Sequence, residues 1–425
     1  MPVTVVAGVQ WGDEGKGRIV DLMASQADIV IRCQGGPNAG HTIVNEFGKF
    51  ALHGVPSGIF NPKAICIVGA GTVINPSGMV EELKTVAKAG ADINRVLISD
   101  RAHLIMPYHK LMDGLDEQHR KGGSKIGTTG QGIAQAYSDK ASRRGLRAGD
   151  LLDMNVFRAK LADTLAWQNR LLATYDHPSI TIEEVLAQVE EAADFLRPMI
   201  GDTINPICDA LDAGKQVLLE GQLGVMRDLD WGAYPFVTSS CPTPAGMVAG
   251  AGVPSRSVER VIGVVKAYTT AVGAGPFPTE LFDSKGDDLR EKGGEFGATT
   301  GRPRRCGWFD AVAVKWACRV AGFTELALTK IDVLDGEPTL PICVDYKDGD
   351  KTLDSFPTTD AMARVKPVYK EMPGWSEKTT SARKMSELPK AAQEYVEELE
   401  RLAGVPISMV SVGPERDSII ERGRQ

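Results

Sequence analysis

The sequence lacks several features that would place it outside the ordinary globular class. No apolar run is long enough to span a bilayer, and the chain leads directly into a strand-like segment rather than a signal peptide. Its seven cysteines never form a C-x-x-C pair, and its six histidines never take H-x-x-x-H spacing. These absences argue against a disulfide framework, a zinc site and a membrane protein, and they favour a cytoplasmic location.

An excess of positive charge is also missing. The 425 residues include 48 Lys and Arg against 55 Asp and Glu, a net charge of −7 at pH 7. That balance argues against a general nucleic-acid binder but leaves room for a local basic site.

The first distinctive motif of the sequence is a glycine-rich loop between a strand-like and a helix-like segment. Residues 2–7 are apolar and mostly β-branched, which predicts a buried strand, and residues 19–24 predict the first turns of a helix. Between them lies Gly8-Val9-Gln10-Trp11-Gly12-Asp13-Glu14-Gly15-Lys16-Gly17-Arg18. Glycines let a backbone approach a phosphate, and a helix N-terminus offers unpaired N–H groups. The segment predicts a phosphate site resembling a P-loop, with a plain glycine-rich turn as the alternative.

The loop departs from the usual P-loop pattern, G-x-x-x-x-G-K followed by Ser or Thr. Counted from Gly8, Asp13 stands where the second glycine would be, and Gly17 takes the place of the Mg²⁺-binding hydroxyl. An acid beside phosphates repels them unless it binds a metal ion or takes a proton from the substrate. Asp13 is therefore a candidate metal ligand or catalytic base. His41 lies in a loop close to this one in sequence and could assist phosphoryl transfer, although an isolated histidine is more often structural.

Strand-like and helix-like segments alternate along the chain. Further strands are predicted at 29–32, 64–68, 96–99, 216–220, 261–265, 325–329 and 407–410, and helices at 79–89, 308–321 and 390–402. Residues 122–149 show no periodicity, whereas long amphipathic segments predict a mainly helical insertion around 150–213. The pattern predicts one α/β domain over 1–425, with a large central, mostly parallel sheet, helices on both faces, helical and loop insertions, and ligands at the carboxyl ends of the strands.

The strand at 325–329 runs directly into Lys330-Ile331-Asp332. A carboxylate at Asp332 can accept two hydrogen bonds from guanine, at N1–H and the 2-amino group, and the Lys330 stem can lie along the ring. Adenine lacks those donors, so the motif favours GTP over ATP. An ordinary strand end is the alternative.

Two clusters of basic residues stand out. Arg302, Arg304 and Arg305 share a Gly/Pro loop, where three cations repel unless an anion lies among them, and guanidinium suits a carboxylate or phosphate. The second cluster, Lys140, Arg143 and Arg144, is either a solvated face or a phosphate site for a second nucleotide.

Together these motifs resemble those of the adenylosuccinate synthetase family, in the family's order and along nearly the whole chain. The matching segments are 12–17, 38–42, 126–130, 143–146, 234–240, 273–280, 299–308, 330–332 and 411–414. The resemblance implies a GTP-dependent ligase that joins L-aspartate to IMP through a 6-phosphoryl-IMP intermediate and releases adenylosuccinate, GDP and phosphate. It implies Asp13 as the base at N1 of IMP and His41 as the acid at the γ-phosphate, with Mg²⁺ as cofactor. It also implies a homodimer in which Arg143 reaches the IMP phosphate of the neighbouring subunit.

The resemblance also implies the binding residues. For GTP they are Gly12, Asp13, Glu14, Gly15, Lys16, Gly17, Arg18, Gly40, His41, Thr42, Arg304, Lys330, Ile331, Asp332, Ser411, Val412 and Gly413. For IMP they are Asp13, Lys16, Asn38, Ala39, Gly40, His41, Thr129, Arg143, Gln222, Thr238 and Arg302. For aspartate they are Ala298, Thr299, Thr300, Gly301, Arg302 and Arg304, and for Mg²⁺ Asp13 and Gly40.

One departure from the family pattern concerns the purine acceptor. Where the family commonly reads Glu-Gly-Ala-Gln-Gly, this chain has Glu220-Gly221-Gln222-Leu223-Gly224. Gln222 is assigned to IMP on the basis of a local shift. Two alternatives stay open from sequence: a related synthetase that aminates another purine nucleotide such as GMP or dGMP, and, more remotely, a GTP-binding switch protein.

Overall fold

The computed structural model describes residues 3–120, 125–297, 301–415 and 417–423. The strands are β1 (Val3–Gly8), β2 (Ile29–Arg32), β3 (His41–Asn45), β4 (Gly48–Leu52), β5 (Ile65–Val68), β6 (Val73–Ile74), β7 (Val96–Ser99), β8 (His103–Leu104), β9 (Ile200–Gly201), β10 (Val217–Gly224), β11 (Val258–Lys266), β12 (Thr269–Ala271), β13 (Arg305–Gly307), β14 (Phe309–Asp310), β15 (Glu325–Thr329), β16 (Thr339–Asp348), β17 (Lys351–Thr352), β18 (Lys366–Pro373), β19 (Ile407–Ser411) and β20 (Ile419–Glu421). The α-helices are α1 (Lys16–Ala24), α2 (Pro76–Lys88), α3 (Pro107–His119), α4 (Ile133–Ala141), α5 (Met154–Ala173), α6 (Ile182–Leu196), α7 (Ile204–Asp212), α8 (Pro244–Ala251), α9 (Ser284–Gly293), α10 (Ala311–Ala321), α11 (Thr359–Met362) and α12 (Lys390–Ala403).

Ten strands form the central sheet in the order β20-β19-β15-β11-β1-β10-β2-β5-β7-β9. Every neighbouring pair is parallel except β19 and β20, which run antiparallel at one edge. The α/β class and the mostly parallel sheet predicted from sequence are thus confirmed.

Side chains on the central strands alternate between two apolar cores, as the period of a strand requires. In β1, Val5 packs in the core that includes α8, α10 and α12, whereas Val6 packs in the core that includes α1. A third core packs β5 and β7 against α2, α5 and α6. Helices therefore cover both faces of the sheet. Among the described residues, no helix combines the length and the apolar character needed to cross a bilayer.

The predicted strands at 29–32, 96–99 and 325–329 coincide with β2, β7 and β15 residue for residue. Their neighbours differ only at their ends. The helix predicted at 308–321 begins instead at Ala311, because Phe309 and Asp310 pair with β16, and Asp310 Oδ1 accepts a hydrogen bond from the Ala313 N–H at 3.0 Å.

Two regions without a clear sequence pattern contain regular structure. Residues 41–52 form a hairpin of β3 and β4. The aperiodic segment 122–149 contains α4, whose Ile133 and Ala136 pack in a small core with Val73 and Ile105. The range 150–213 holds α5, α6 and α7 and also β9, which pairs with β7 at the edge of the sheet. That this range is an insertion in a single domain stays a prediction.

The carboxyl ends of five strands position the functional site. β1 leads into the glycine-rich loop, β10 ends beside it at Gly224, and β15 leads into Lys330. β2 precedes the loop that carries Asn38, and β19 precedes Gly413. In a parallel sheet these ends share one edge, where backbone and side-chain groups converge on ligands.

Candidate active site

A cavity of about 740 Å³ opens at this edge of the sheet. Its lining includes Asp13, Gly15, Lys16, Gly17, Arg18, Ala39, Gly40, His41, Thr42, Leu223, Arg304, Lys330, Asp332 and Gly413. The structure thus brings together the glycine-rich loop, the β3–β4 hairpin, the loop that carries Arg302 and Arg304 (the arginine loop) and the Lys-x-Asp motif. The volume falls in the range that small-molecule sites occupy.

The glycine-rich loop is held by a carboxylate beneath it. Glu14 is fully buried, and its Oε1 accepts the N–H groups of Gln10 at 3.0 Å and Gly12 at 2.9 Å. The Lys16 ammonium pairs with the other oxygen of Glu14. Of the predicted GTP residues, Glu14 therefore uses its side chain inside the protein, and the Lys16 ammonium is held by an ion pair with it.

Gly17 is a glycine for a steric reason. A Cβ atom built there would lie 2.9 Å from the Thr42 carbonyl oxygen and 3.2 Å from the His41 Cβ. The hairpin therefore packs directly on the start of α1, and a serine or threonine at this position would displace it. This contact explains the missing hydroxyl of the usual P-loop.

Asp13 projects from a strained turn. Its backbone has φ of 60°, in the left-handed region that side chains seldom adopt. The carboxylate is 35% exposed, and its Oδ1 lies 3.0 Å from Nη2 of Arg304. The turn presents this acid to the cavity beside a fixed cation.

His41 is oriented by a second buried carboxylate, Glu220 on β10. The His41 Nδ1 is hydrogen-bonded to Glu220, which also accepts the Ser57 N–H at 2.7 Å and the Ser57 hydroxyl at 2.6 Å. Nε2 of His41 is buried and has no hydrogen-bond partner among the described residues. Burial lowers the pKa of His41, although the hydrogen bond to Glu220 opposes that shift. His41 lines the cavity and its Nε2 has no partner there within the described part of the chain, so this ring nitrogen is suited to contact a bound anion.

The predicted guanine motif, Lys330 and Asp332, also lines the cavity. Lys330 has φ of 60°, and its Nζ donates to the Gly293 carbonyl at 2.6 Å and to Glu295 Oε1 at 2.8 Å. Asp332 lines the cavity, and burial raises the pKa of its carboxyl group. Hydrogen-bond donors on a bound ligand would stabilise the ionised form of this partly desolvated carboxylate.

Arg18 joins the phosphate loop to the last predicted GTP segment. Its guanidinium donates to the Ser411 hydroxyl and to the Gly413 carbonyl. The side chains of Ser411 and Val412 are buried, whereas Gly413 lines the cavity. Ile331 is buried in the main core, so its side chain serves packing.

The residues predicted for IMP lie on several loops. Arg302 donates from Nη1 to the carbonyl oxygens of Gly127 and Thr128, each at 3.3 Å, which brings it beside Thr129. Thr238 is buried, and its N–H donates to the Arg227 carbonyl at 2.9 Å.

Gln222 is nearly fully buried and does not line the cavity. Its Oε1 accepts from Arg32 at 2.7 Å, and its Nε2 approaches Asn38 Oδ1 at 3.3 Å. Leu223, with φ of 59°, lines the cavity in its place. The structure therefore brings Gln222 to the predicted IMP residue Asn38 but commits its amide to neighbours within the protein.

The remaining predicted residues divide into three groups. Ala298, Thr299 and Thr300 lie outside the described residues, and Gly301 next to them is exposed with φ of 63°. Arg143 is exposed after the end of α4, with φ of 62°. Arg305, grouped with Arg302 and Arg304 in the sequence, instead forms an ion pair with Glu280, whereas its neighbour Arg304 pairs with Asp13 and Glu295.

Sequence reasoning missed two carboxylates, Glu220 and Glu295. Glu220 begins the family segment 220–224, in which the resemblance assigns a role only to the glutamine, and Glu295 stands in no motif; both carboxylates are fully buried. Glu220 carries a usable signal, since it occupies an otherwise apolar buried strand, where a charged side chain needs a partner.

The fold and this cavity define an α/β protein of the nucleotide-binding enzyme class, with a glycine-rich loop, an acid and a histidine on the lining of one cavity. The family model "Adenylosuccinate synthetase" matches residues 5–420. An adenylosuccinate synthetase of Moorella thermoacetica is 50% identical over 422 residues, which cover 99% of each chain. A solved structure described as fully ligated adenylosuccinate synthetase from Plasmodium falciparum superposes with a TM-score of 0.94 at 36% identity, covering 99% of this chain and 100% of that one.

The chain belongs to the adenylosuccinate synthetase family. It is a ligase of purine and AMP biosynthesis that joins L-aspartate to IMP with GTP, and the family uses Mg²⁺. The predicted family, fold and reaction are confirmed, and the switch-protein and GMP alternatives are not supported. A cyanophage S-2L succinoaminodeoxyadenylate synthetase bound to dGMP and dATP, 18% identical with a TM-score of 0.63 over 99% of this chain and 95% of that one, shares the fold.

Proposed function

We propose that Asp13 and His41 perform the phosphoryl transfer from GTP to IMP. Asp13 takes the N1 proton of IMP, and the electron pair that it releases makes O6 nucleophilic. O6 bonds to the γ-phosphorus, and the bond from that phosphorus to the β–γ bridging oxygen breaks, releasing GDP. The amine of aspartate then displaces phosphate from C6 and loses a proton. Phosphorylation of O6 makes the substitution at C6 possible, because a carbonyl oxygen is a poor leaving group and phosphate is a good one.

The observation that carries this proposal is the shared cavity of the two side chains. Asp13 is partly exposed within it, and the buried Nε2 of His41 lacks a partner. A protonated Nε2 can donate to the γ-phosphoryl oxygens as negative charge shifts toward the leaving group. An incoming phosphate anion would raise the pKa of His41 and so offset the burial that lowers it.

We propose that Asp13 and Gly40 hold Mg²⁺. Both residues line the cavity, and a carboxylate with a backbone carbonyl is the hard oxygen donor set that Mg²⁺ accepts alongside phosphate oxygens and water. When bound, Mg²⁺ screens the repulsion between the Asp13 carboxylate and the phosphates of GTP. Arg304 supplies a second positive charge on the same carboxylate.

The other substrate contacts are proposed from position. Lys330, Asp332 and the 411–413 segment would bind guanine, and the backbone of 15–17 the phosphates. The IMP residues proposed are Asn38, Thr129, Thr238 and Arg302, together with Arg143 of a neighbouring subunit. The loop at 298–304 would bind aspartate.

We further propose a cytoplasmic homodimer. The cytoplasmic location is supported by seven unpaired cysteines, and the dimer by an exposed Arg143 whose backbone lies in the left-handed region.

The chemical proposal is tested with Asp13→Asn in an isotope assay that isolates the first step. GTP labelled with ¹⁸O at the β–γ bridge is incubated with Mg²⁺ and IMP but without aspartate, and label scrambling to non-bridging β positions is measured. The wild-type protein should show IMP-dependent scrambling, and Asp13→Asn should not, because an amide cannot take the N1 proton. The control Asp332→Asn, at saturating GTP, should scramble. Scrambling by a folded Asp13→Asn protein at a rate near wild type would show that another group is the base.

The dimer proposal is tested by mixing two inactive variants, Asp13→Asn and Arg143→Leu. Random exchange of subunits makes half of the dimers mixed, and each mixed dimer has one intact site, so activity should recover to about a quarter of wild type. Activity that stays at the level of the separate variants, with exchange verified by mass-tagged subunits, would place Arg143 in its own subunit's site or outside any site.

A further inference from the structure

Glu295 is a fully buried carboxylate at the base of the arginine loop. Its Oε1 accepts the ammonium groups of Lys266 and Lys330, each at 2.8 Å, and its Oε2 accepts Nη1 of Arg304 at 2.6 Å. The Tyr268 hydroxyl donates to Oε1 as well. One acid therefore gathers three cations from three separate elements of the fold.

The three cations around this carboxylate favour its ionised form. Burial opposes its ionisation, but the charges of Lys266, Lys330 and Arg304 outweigh burial and hold the pKa of Glu295 well below its ordinary value. The three positive charges exceed the single negative charge, and two of the cations, on Lys330 and Arg304, belong to residues that line the cavity.

Glu295 contacts two residues that line the cavity, Arg304 and Lys330. A guanidinium is a rigid planar fork, so fixing Nη1 of Arg304 on Glu295 also fixes Nη2, which meets Asp13 Oδ1 at 3.0 Å. On its other side, Glu295 holds the Lys330 ammonium, two residues before Asp332. The guanine motif and the proposed base are therefore connected through a single side chain.

We propose that Glu295 is a positioning residue that fixes Lys330 and Arg304 relative to each other and so couples guanine recognition to the placement of Asp13. The proposal rests on the family's reaction and on the role of Asp13 proposed above. Without the carboxylate, three cations would face one another unbalanced, so Lys330 and Arg304 would move apart. Binding of GTP and of aspartate should weaken together, and kcat should fall because Asp13 is displaced from N1 of IMP. The IMP contacts proposed for Asn38, Thr129 and Thr238 do not depend on Glu295 and should hold the KM for IMP.

The test is Glu295→Gln, which keeps the size and removes the charge. The KM values for GTP and aspartate should each rise about 10-fold or more, the scale of one charge-assisted hydrogen bond, whereas the KM for IMP should stay within about 3-fold. The preference for GTP over ITP, which lacks the 2-amino group, should also fall. A general loss of structure would not change the preference for GTP over ITP, and it would not raise the KM values for GTP and aspartate while sparing that for IMP.

Two controls separate charge from packing. Tyr268→Phe removes a hydrogen bond from the same oxygen but leaves all charges, and should keep KM values near wild type. Glu398→Gln alters a distant acid that likewise joins two cations, Lys370 and Arg401, and should leave the kinetics unchanged. A double variant Glu295→Gln/Lys330→Met should raise the GTP KM by less than the product of the single effects, because both act through one contact.

Unchanged KM values for GTP and aspartate in a folded Glu295→Gln protein would overturn the proposal, and so would equal losses in Tyr268→Phe. If the glutamine variant does not fold, Glu295→Asp decides: it keeps the charge but shortens the reach, and should raise both KM values several-fold. Wild-type values in that variant would also overturn it. Absence of adenylosuccinate from the wild-type protein, assayed in parallel, would instead refute the reaction itself.

Discussion

Replacing Glu220 by glutamine should slow catalysis without removing the substrate-binding residues. Glu220 lies under His41 and accepts the Ser57 N–H at 2.7 Å and the Ser57 hydroxyl at 2.6 Å in addition to the His41 ring. An amide of the same shape can accept at only one of its two positions and carries no charge. The imidazole then loses the partner that sets its tautomer and stabilises its charged form.

The expected magnitude follows from the lost interaction. A hydrogen bond between a charged pair contributes about 1.5–3 kcal/mol, and each 1.4 kcal/mol is about tenfold in rate, so kcat should fall about 10- to 100-fold. Burial already lowers the pKa of His41, and Glu220 opposes that shift. Without the carboxylate the pKa of His41 falls further, so the decline of kcat on the alkaline side should begin at lower pH than in the wild-type protein.

The assay measures adenylosuccinate formation at saturating substrates from pH 5.5 to 9 and compares Glu220→Gln with Ser57→Ala. The alanine variant removes a neutral hydrogen bond from the same carboxylate and should shift the alkaline limb much less. Wild-type kcat and an unmoved alkaline limb in a folded Glu220→Gln protein would refute the view that Glu220 controls His41.

Two further perturbations test other parts of the structure. Asp332→Asn should lose most of the preference for GTP over ATP, because an amide cannot accept both guanine donors; the ratio of kcat/KM values measures this, and an unchanged ratio would remove Asp332 from base recognition. The pKa of buried His103 is lowered from 6.5 to about 4, first by desolvation and then by Lys140 and Arg147. The unfolded chain therefore binds a proton between pH 6.5 and about 4 that the folded chain does not, so the free energy of unfolding should fall as pH drops through that window. Urea unfolding at several pH values should show a shallower fall for His103→Gln, and an equal slope would exclude His103 as a contributor.

Much of the fold could be predicted because its signals are local. Strands such as β2 and β15 are short apolar runs buried on both faces, and that pattern needs no knowledge of distant residues. The hairpin of β3 and β4 has no such signal, since half of the residues in its two strands are exposed, and its close contact with α1 at Gly17 joins residues about 25 positions apart.

The sequence by itself determined the family, the phosphate loop with its inserted acid, and the Lys330–Asp332 motif, because each is a contiguous pattern with its own chemistry. Only the tertiary structure decided how those groups are held: His41 meets Glu220 across 179 residues, and Lys330 meets Glu295 across 35. It also decided that Gln222 turns inward while Leu223 lines the cavity. A buried carboxylate acquires its role from the donors that folding brings to it, and nothing in its immediate neighbours along the chain reveals which donors those will be.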